Sequence, residues 1–391
     1  MEFEGHSLPR MTIVQTFNLI PLRAHRVRRR QRGITLIELM VAITVGLILL
    51  AGIIQLFVSN KQAYRIQEGI NVQNENSRYA LNQLEYSIRM AGHWGGAKPA
   101  SVAVATTKPA TDCTQSPVLK NKDPTLDVAH GIEGFDGANA SPLDCIPAAD
   151  YRVGTDVLIL RYAGAQRECF FPGDPAKEIA CFAKPENAKK QFVRARSSGG
   201  ADIFNAVDFA GRYNGGTAPP DIQIPADADE NKDLIANYSA NVEIYFIRNC
   251  ASKPQDADCG AADDTTPTLA RLVLRDGDME QEDVVAGVEQ FQVVYGVDDD
   301  GDHSPNRYVD ATSVKAGTGG PEWAKVVDTR VSLVLRNGER DVTFKDEKTY
   351  LLYGGAAGAG LAYKAAASDQ SFRRKVYNTS VQSRNMTRNL R

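Results

Sequence analysis

One stretch constrains this chain more than any other. From Ile34 to Val58 it reads ITLIELMVAITVGLILLAGIIQLFV, with a single charged residue, Glu38. Twenty-five residues at ~1.5 Å rise make a helix of roughly 37 Å, enough to cross ~30 Å of hydrocarbon. The 33 residues before it hold seven arginines (10, 23, 26, 28, 29, 30 and 32) against Glu2 and Glu4, a balance of +5. Taking that from the formal −3 of all 391 residues leaves −8 for the remainder. A basic flank before an apolar run keeps that flank in the cytoplasm and sends the downstream chain across the membrane. An ordinary secretory signal fits poorly, because its apolar region is shorter and its small-residue cleavage site comes after it. Here the small residue, Gly33, precedes the run. The basic patch lacks the interleaved aromatics of a nucleic-acid surface, so no direct nucleic-acid partner is expected.

Glu38 calls for a partner. A carboxylate within an apolar helix costs roughly 2.5–3.5 kcal/mol at the bilayer centre and less near the end, where this one lies. If the chain is cut between Gly33 and Ile34, the new α-amine sits at the same helical end. In an array of subunits that amine could pair with the Glu38 carboxylate of a neighbour.

Beyond Val58 the helical pattern continues and becomes amphipathic. Ile66, Ile70, Ser77, Leu81, Leu84 and Ile88 recur at nearly helical spacing, while Lys61, Arg65, Glu68, Glu75, Arg78, Glu85 and Arg89 supply a solvated face. The helix is expected to end near Ala91-Gly92. Gly46, Gly52 and Gly69 are candidate points of close packing.

Residues 93–391 read as an exported domain. Residues 93–150 show little periodicity and read as a long, partly irregular connection between the helix and the sheet, tied down at Cys113 and Cys145. Strand-like runs come next, at Asp156–Tyr162, Val242–Arg248, Leu269–Arg275, Val288–Val297 and Val326–Arg336, with a last one within Lys375–Val381. No helical segments are expected between them, which points to an antiparallel sheet with the long helix laid across it, an α+β arrangement. The polar stretch 199–233 reads as a surface loop. Six cysteines (113, 145, 169, 181, 250 and 259) all lie beyond the apolar run, and none forms a C-x-x-C pair. An even count on the exported side of a membrane suggests disulfides. Neighbour pairing gives Cys113–Cys145, Cys169–Cys181 and Cys250–Cys259, the simplest of fifteen connectivities.

An acidic loop places oxygens at alternate positions: Asp298, Asp300, Asp302, Ser304 and Asn306. Ca²⁺ takes six to eight oxygens, and the spacing matches the start of an EF-type loop. That loop has glycine sixth and glutamate twelfth, where this chain has His303 and Val309. The competing interpretation is a solvated turn between strands. No H-E-x-x-H, G-x-S-x-G or G-x-x-x-x-G-K-[ST] motif occurs, and Gly354–Gly360 has no Lys-Ser/Thr after it, so an enzyme is not expected. No cofactor is required, and calcium is the ion the acidic loop would take.

The string from Arg32 to Leu39, RGITLIEL, resembles the class III signal of type IV prepilins and pseudopilins. In that family a prepilin peptidase cuts after the glycine and N-methylates the new first residue. The resemblance makes Gly33 the last leader residue, Ile34 the methylated terminus and Glu38 the assembly glutamate. Phenylalanine is the common first residue, so Ile34 departs from the pattern. The leader is long for the family, and Met11 offers an alternative start. Further on, Val284–Asp298 (VVAGVEQFQVVYGVD) looks like the core strand of PilW-type minor pilins. The acidic loop is next, then Trp323 before a Val-rich strand over Arg330–Arg336, and a basic tail from Phe372 to Arg391. Ser77–Leu81 and Ile88–Gly92 of the early helix agree; residues 93–240 match only in being variable and cysteine-bearing.

The resemblance implies a pilin-like organisation: a removed leader over 1–33, a membrane half of the helix over 34–58, an amphipathic half over 59–92, and a β-rich exported domain over 93–391. It implies a minor pilin that primes type IV pilus assembly near the tip. Its partners would be other minor pilins, the major pilin, the prepilin peptidase and a tip adhesin. The protein would sit in the inner membrane with its domain in the periplasm, then at the fibre tip. A minor pseudopilin of a type II secretion system is the near alternative. A membrane-anchored, calcium-dependent binding protein is the alternative of another class.

Overall fold

The computed structural model describes residues 33–97, 102–104, 130–137, 139–143, 145–171, 174–196, 199–214, 216, 235–252, 258–260, 263–276, 278–316, 322–355 and 360–387. A 55-residue helix, α1 (Leu36–Met90), leads the fold. The chain divides after Ala63 into two compact units. In the first, the helix is the one element among the described residues that is long and apolar enough to cross a membrane. Its large apolar side chains, from Ile34 to Val58, are exposed. Gly46 and Gly52 have nothing within 4 Å of an added Cβ, so within this subunit they are not the close-packing points expected of them.

The second unit begins at Tyr64. Its helical part buries Gln73, Ser77, Ala80, Leu84, Ser87 and Ile88, the i, i+3, i+4 rows of one face. That differs from the expected stripe at its start. Ile70 is exposed, and Gln73 enters instead, donating to the Leu335 carbonyl. The reason is period: a 3.5-residue stripe drifts around a 3.6-residue helix, so its early members rotate off the buried face. The helix stops where expected, because Gly92 takes φ +73 and gives its N–H to Arg161 O (2.9 Å). A Cβ there would stand 2.5 Å from Met386 Sδ.

Among the described residues, fourteen strands and three short helices come after it. They are β1 (Val102–Val104), β2 (Ile132–Phe135), β3 (Val157–Arg167), α2 (Pro175–Phe182), β4 (Gln191–Arg196), β5 (Ala201–Asn205), α3 (Phe209–Tyr213), β6 (Ile235–Arg248), β7 (Thr268–Arg275), β8 (Asp278–Ala286), β9 (Val288–Val297), β10 (Arg307–Val309), α4 (Ala311–Lys315), β11 (Val326–Arg336), β12 (Thr349–Leu352), β13 (Leu361–Lys364) and β14 (Arg374–Gln382). They form two sheets and a hairpin. The first sheet runs β1-β5-β4-β6-β3-β2, with β7 and β8 added beyond the C-terminal half of β6. The long β6 makes this branching possible: residues 235–239 pair with β4 and 243–248 with β7. The second sheet runs β10-β9-β11-β14, all antiparallel. The chain passes between sheets at Gly287, whose φ of +87 and 2.9 Å approach to Arg336 O leave no room for a side chain.

The main core lies between these layers. Ala80, Leu84 and Ile88 of α1 meet Leu158 and Tyr245 of the first sheet and Phe291, Val293, Val331 and Leu333 of the second. Fully burying each of the larger aliphatic side chains stabilises by roughly 1.5–3 kcal/mol. All ten residues of β9 are buried, which is why VEQFQVVYGV carries glutamate and glutamines that need internal partners.

The α+β expectation holds, as do all six expected strands, each within a few residues at its ends or longer. Four expectations are corrected. Two sheets replace one. Three short helices lie among the strands. One pair departs from the antiparallel expectation: β1, in the partly irregular stretch 93–150, pairs with β5 in parallel. Within 199–233, residues 201–213 form β5 and α3 rather than a surface loop. Among the missed elements, α2, β5 and α3 share a cause with β4: Phe182, Phe192, Phe204, Phe209 and Tyr213 build a separate small aromatic core, and its members are spaced across polar sequence with no strand or helix period. Disulfides Cys169–Cys181 and Cys250–Cys259 form as paired from sequence. The Cys113–Cys145 pairing involves Cys113, which lies outside the described residues, as does most of Gly354–Gly360.

Candidate functional site

Two sequence candidates are the N-terminal end of the helix and the acidic loop. At the N-terminal end, Gly33 and Ile34 are exposed and precede the helix. Thr35 and Glu38 bind each other reciprocally. Thr35 Oγ1 accepts from Glu38 N–H (3.2 Å), and the Glu38 carboxylate accepts from Thr35 N–H and from its hydroxyl (both 3.3 Å). This is a capping box, in which two otherwise orphaned N–H groups at a helix start are satisfied by side chains. The glutamate noticed for its cost in an apolar segment therefore has a local function as well: it closes its own helix. The T-x-x-E spacing that signals this is legible in sequence, but there the isolated charge overshadows it. Chemically, the end offers an accessible Gly33–Ile34 peptide bond and, one turn on, a carboxylate held by weak, exposed hydrogen bonds that a stronger cation could displace.

The acidic loop joins β9 to β10. Ligand oxygens of Asp298, Asp300 and Asp302 lie within 4.8 Å of one another. Asp298 is buried and accepts from Gly301 N–H (2.6 Å) and Asp300 N–H (3.2 Å) on one oxygen and from His303 N–H (2.8 Å) on the other. Desolvation works to raise its carboxyl, but these backbone N–H groups prevail and hold it below the usual aspartate range. His303 adopts φ +71, the left-handed turn for which an EF-type loop uses glycine at this sixth position. The histidine therefore does not prevent the turn. Asp302 Oδ1 accepts from Ser304 N–H (2.7 Å) and Asn306 Oδ1 from Asp299 N–H (2.6 Å), so the Asp302 and Asn306 side chains hold the loop's own backbone. Arg307 adds a bidentate pair to Asp299.

Two buried polar networks, absent from the sequence reasoning, fix the domain. In one, Arg374 of β14 bridges Glu289 of β9 (2.5 Å) and Asp346 (3.2 Å), with all three side chains fully buried. Tyr363 donates to Glu289 and Tyr350 to Asp346 (both 2.9 Å), which ties the β12–β13 hairpin to the second sheet. In the other, Glu243 of β6 accepts from Ser87 (2.6 Å), Tyr162 (2.8 Å) and Tyr245 (2.7 Å), which locks the helix to the first sheet. Burial, with Glu243 beside them, pushes both tyrosine hydroxyls well up.

Two family models match the chain. One, the prokaryotic N-terminal methylation motif, covers residues 28–54 and so encloses Gly33, Ile34 and Glu38. With the apolar helix, it fits a membrane-anchored pilin. The other, type IV pilus-assembly protein W, covers residues 244–385, from the C-terminal half of β6 to just beyond β14. Together they support a PilW-type pilin, and they point to a structural, non-enzymatic protein of the type IV pilus. No curated protein and no solved structure matches the chain.

Proposed function

We propose that this chain is a minor pilin that primes type IV pilus assembly and resides near the pilus tip. It is cut after Gly33, N-methylated at Ile34, and inserted through its N-terminal helix. The observation that carries this is the coincidence, in one chain, of the methylation motif at residues 28–54 and the pilus-assembly match over the strands of the domain. The capping box supplies a mechanism. Before assembly, Thr35 satisfies Glu38 within its own chain. During assembly, the α-amine of a neighbouring pilin offers a full positive charge, an ion pair in place of two long bonds (both 3.3 Å) from uncharged donors. Transfer of the carboxylate from Thr35 to that amine would set the subunit's axial register. Other minor pilins, the major pilin, the prepilin peptidase and a tip adhesin are the partners this role needs. The inner membrane, with the domain in the periplasm, is the staging compartment.

Mass spectrometry of the N-terminus from native cells, with and without the prepilin peptidase, tests the processing step. A chain starting at N-methyl-Ile34 supports it; an intact leader in cells that hold the peptidase overturns it. Glu38→Ala is expected to lower incorporation into sheared pili at least about tenfold, the loss of one ion pair of roughly 1.4 kcal/mol or more. Unchanged incorporation of the Glu38→Ala subunit in a strain that holds the other pilins would refute the role given to Glu38. A minor pseudopilin of a type II secretion system shares the leader chemistry; deletion separates the two, since loss of piliation with intact secretion belongs to a pilus subunit.

A second reading, a calcium-dependent binding function, is favoured by the left-handed turn at His303 and the convergence of Asp298, Asp300 and Asp302. It predicts that 1 mM Ca²⁺, about ten times a Kd of ~10⁻⁴ M typical of extracellular modules, raises stability by about 1.4 kcal/mol. Asp300→Asn combined with Asp302→Asn should abolish the gain. A melting temperature indifferent to Ca²⁺ and to a chelator would exclude the ion.

A further inference from the structure

The second sheet ends at β14, and among the described residues no strand pairs with its outer edge. The register shows which backbone groups face outward. Asn337 N–H donates to Arg373 O (3.0 Å) and Ser383 N–H to Val327 O (2.9 Å), on the same ladder as Val331↔Thr379. Antiparallel partners alternate between bonded and non-bonded pairs. Odd-numbered residues of β14 therefore bond β11, while Val376, Asn378, Ser380 and Gln382 direct their N–H and C=O groups outward.

The two long edge strands of the domain are treated differently. β8, which pairs only with β7, carries Asp278, Glu280, Glu282 and Asp283 along its length. Charges of this kind are how proteins keep an edge from recruiting another strand. β14 has no such guard: from Val376 to Ser383 the sequence VYNTSVQS holds no charge, no proline and no glycine. Charge gathers only at its ends, with Arg373 and exposed Lys375 before it and exposed Arg384 after it. Lys375 and Tyr377 reach the helix through Asn74, and Thr379 through Glu85. These contacts hold the strand flat from one face and leave its edge groups unused.

We propose that the outer edge of β14 accepts an extended strand from another subunit, a strand uncharged at its centre and acidic at its ends. The bonds are backbone to backbone, as in β-augmentation, and the basic ends set polarity and register. A second copy of β14 does not fit. Antiparallel pairing of two such edges would bring Lys375 of one copy to the Arg384 end of the other, like charge against like. The proposal does not depend on the assembly role argued above, since it concerns a surface distant in sequence from the processed terminus.

The test uses the full chain in detergent micelles and a fluorescent nine-residue peptide, alternating Val and Thr with a glutamate at each end. Binding is expected, with a lysine-ended version about five- to tenfold weaker at low salt, the size of one or two cross-strand charge pairs. Ser380→Pro removes an outward N–H without taking a backbone bond from the β11 ladder, but it also removes the hydroxyl bond to Asp328 (2.8 Å), so it is compared with Ser380→Ala: the proline variant should abolish binding while melting close to the alanine variant, which still binds. A peptide N-methylated along both edges, so that neither edge keeps a donor, should fail against the unaltered protein, which covers the case in which the proline variant misfolds. Equal binding by the N-methylated peptide, or none by the glutamate-ended one, overturns the proposal. Disulfide cross-linking of two copies through Asn378→Cys would overturn it too, because it would show the edge taken by a second copy.

Discussion

Arg374 has a guanidinium with no exposure to solvent, set between Glu289 and Asp346. A buried pair of this kind adds little over a well-packed apolar substitute, but removing one partner strands the others. Arg374→Met leaves the buried Asp346 without its cation and Glu289 with Arg336 (3.4 Å), and is expected to cost about 3–5 kcal/mol in chemical denaturation. Adding Asp346→Asn to it should recover part of that loss, whereas two independent contributions would make the double variant worse. In sequence these residues are an arginine in a basic tail and two acidic residues in separate strands and loops. Charge identity was visible, but pairing across 28 and 85 positions was not. Glu38 is the opposite case: its partner Thr35 lies three positions away, so the contact is local and legible.

At the level of the element, α1 carries apolar side chains on two faces beyond Tyr64. Leu84 and Ile88 are fully buried, whereas Val72, Tyr79 and Tyr86 are half or more exposed. Leu84→Ala is expected to destabilise the domain by about 2–5 kcal/mol, and Tyr79→Ala by less than about 0.5 kcal/mol. Urea unfolding followed by tryptophan fluorescence distinguishes them, because Trp94 and Trp323 are both buried. Equal losses would mean that the exposed row also holds the domain together. The strands repeat the pattern of legibility. β9 and β11 stand out as apolar runs bounded by turn signals. β8, with the sequence DMEQEDVVA, does not, because its charges are matched by Arg248, Arg271 and Arg275 of β6 and β7 rather than by any pattern of its own.

Across the whole molecule, the pilus-assembly match begins inside β6, so the aromatic lobe of α2, β4, β5 and α3 lies before it. That lobe has its own core, its own disulfide and its own buried pair, Arg194–Glu178 (2.7 Å). Opening Cys169–Cys181, which closes a loop of sequence separation 12, should cost about 3 kcal/mol in the chain-entropy model. In the Cys169→Ser, Cys181→Ser variant, limited proteolysis should cut first within 168–214, with 244–385 surviving longer. Simultaneous loss of both regions would show a single cooperative unit.

Sequence alone determined the continuous helix, six strands and two disulfide pairings. Each of these rests on periodicity, composition or neighbours within about a dozen residues, which a linear chain displays directly. Tertiary structure alone decided the division into two sheets, the crossing at Gly287, the aromatic lobe and the partners of Glu243 and Arg374. Those depend on which distant segments meet, and low-dielectric burial then determines which charges must be satisfied there.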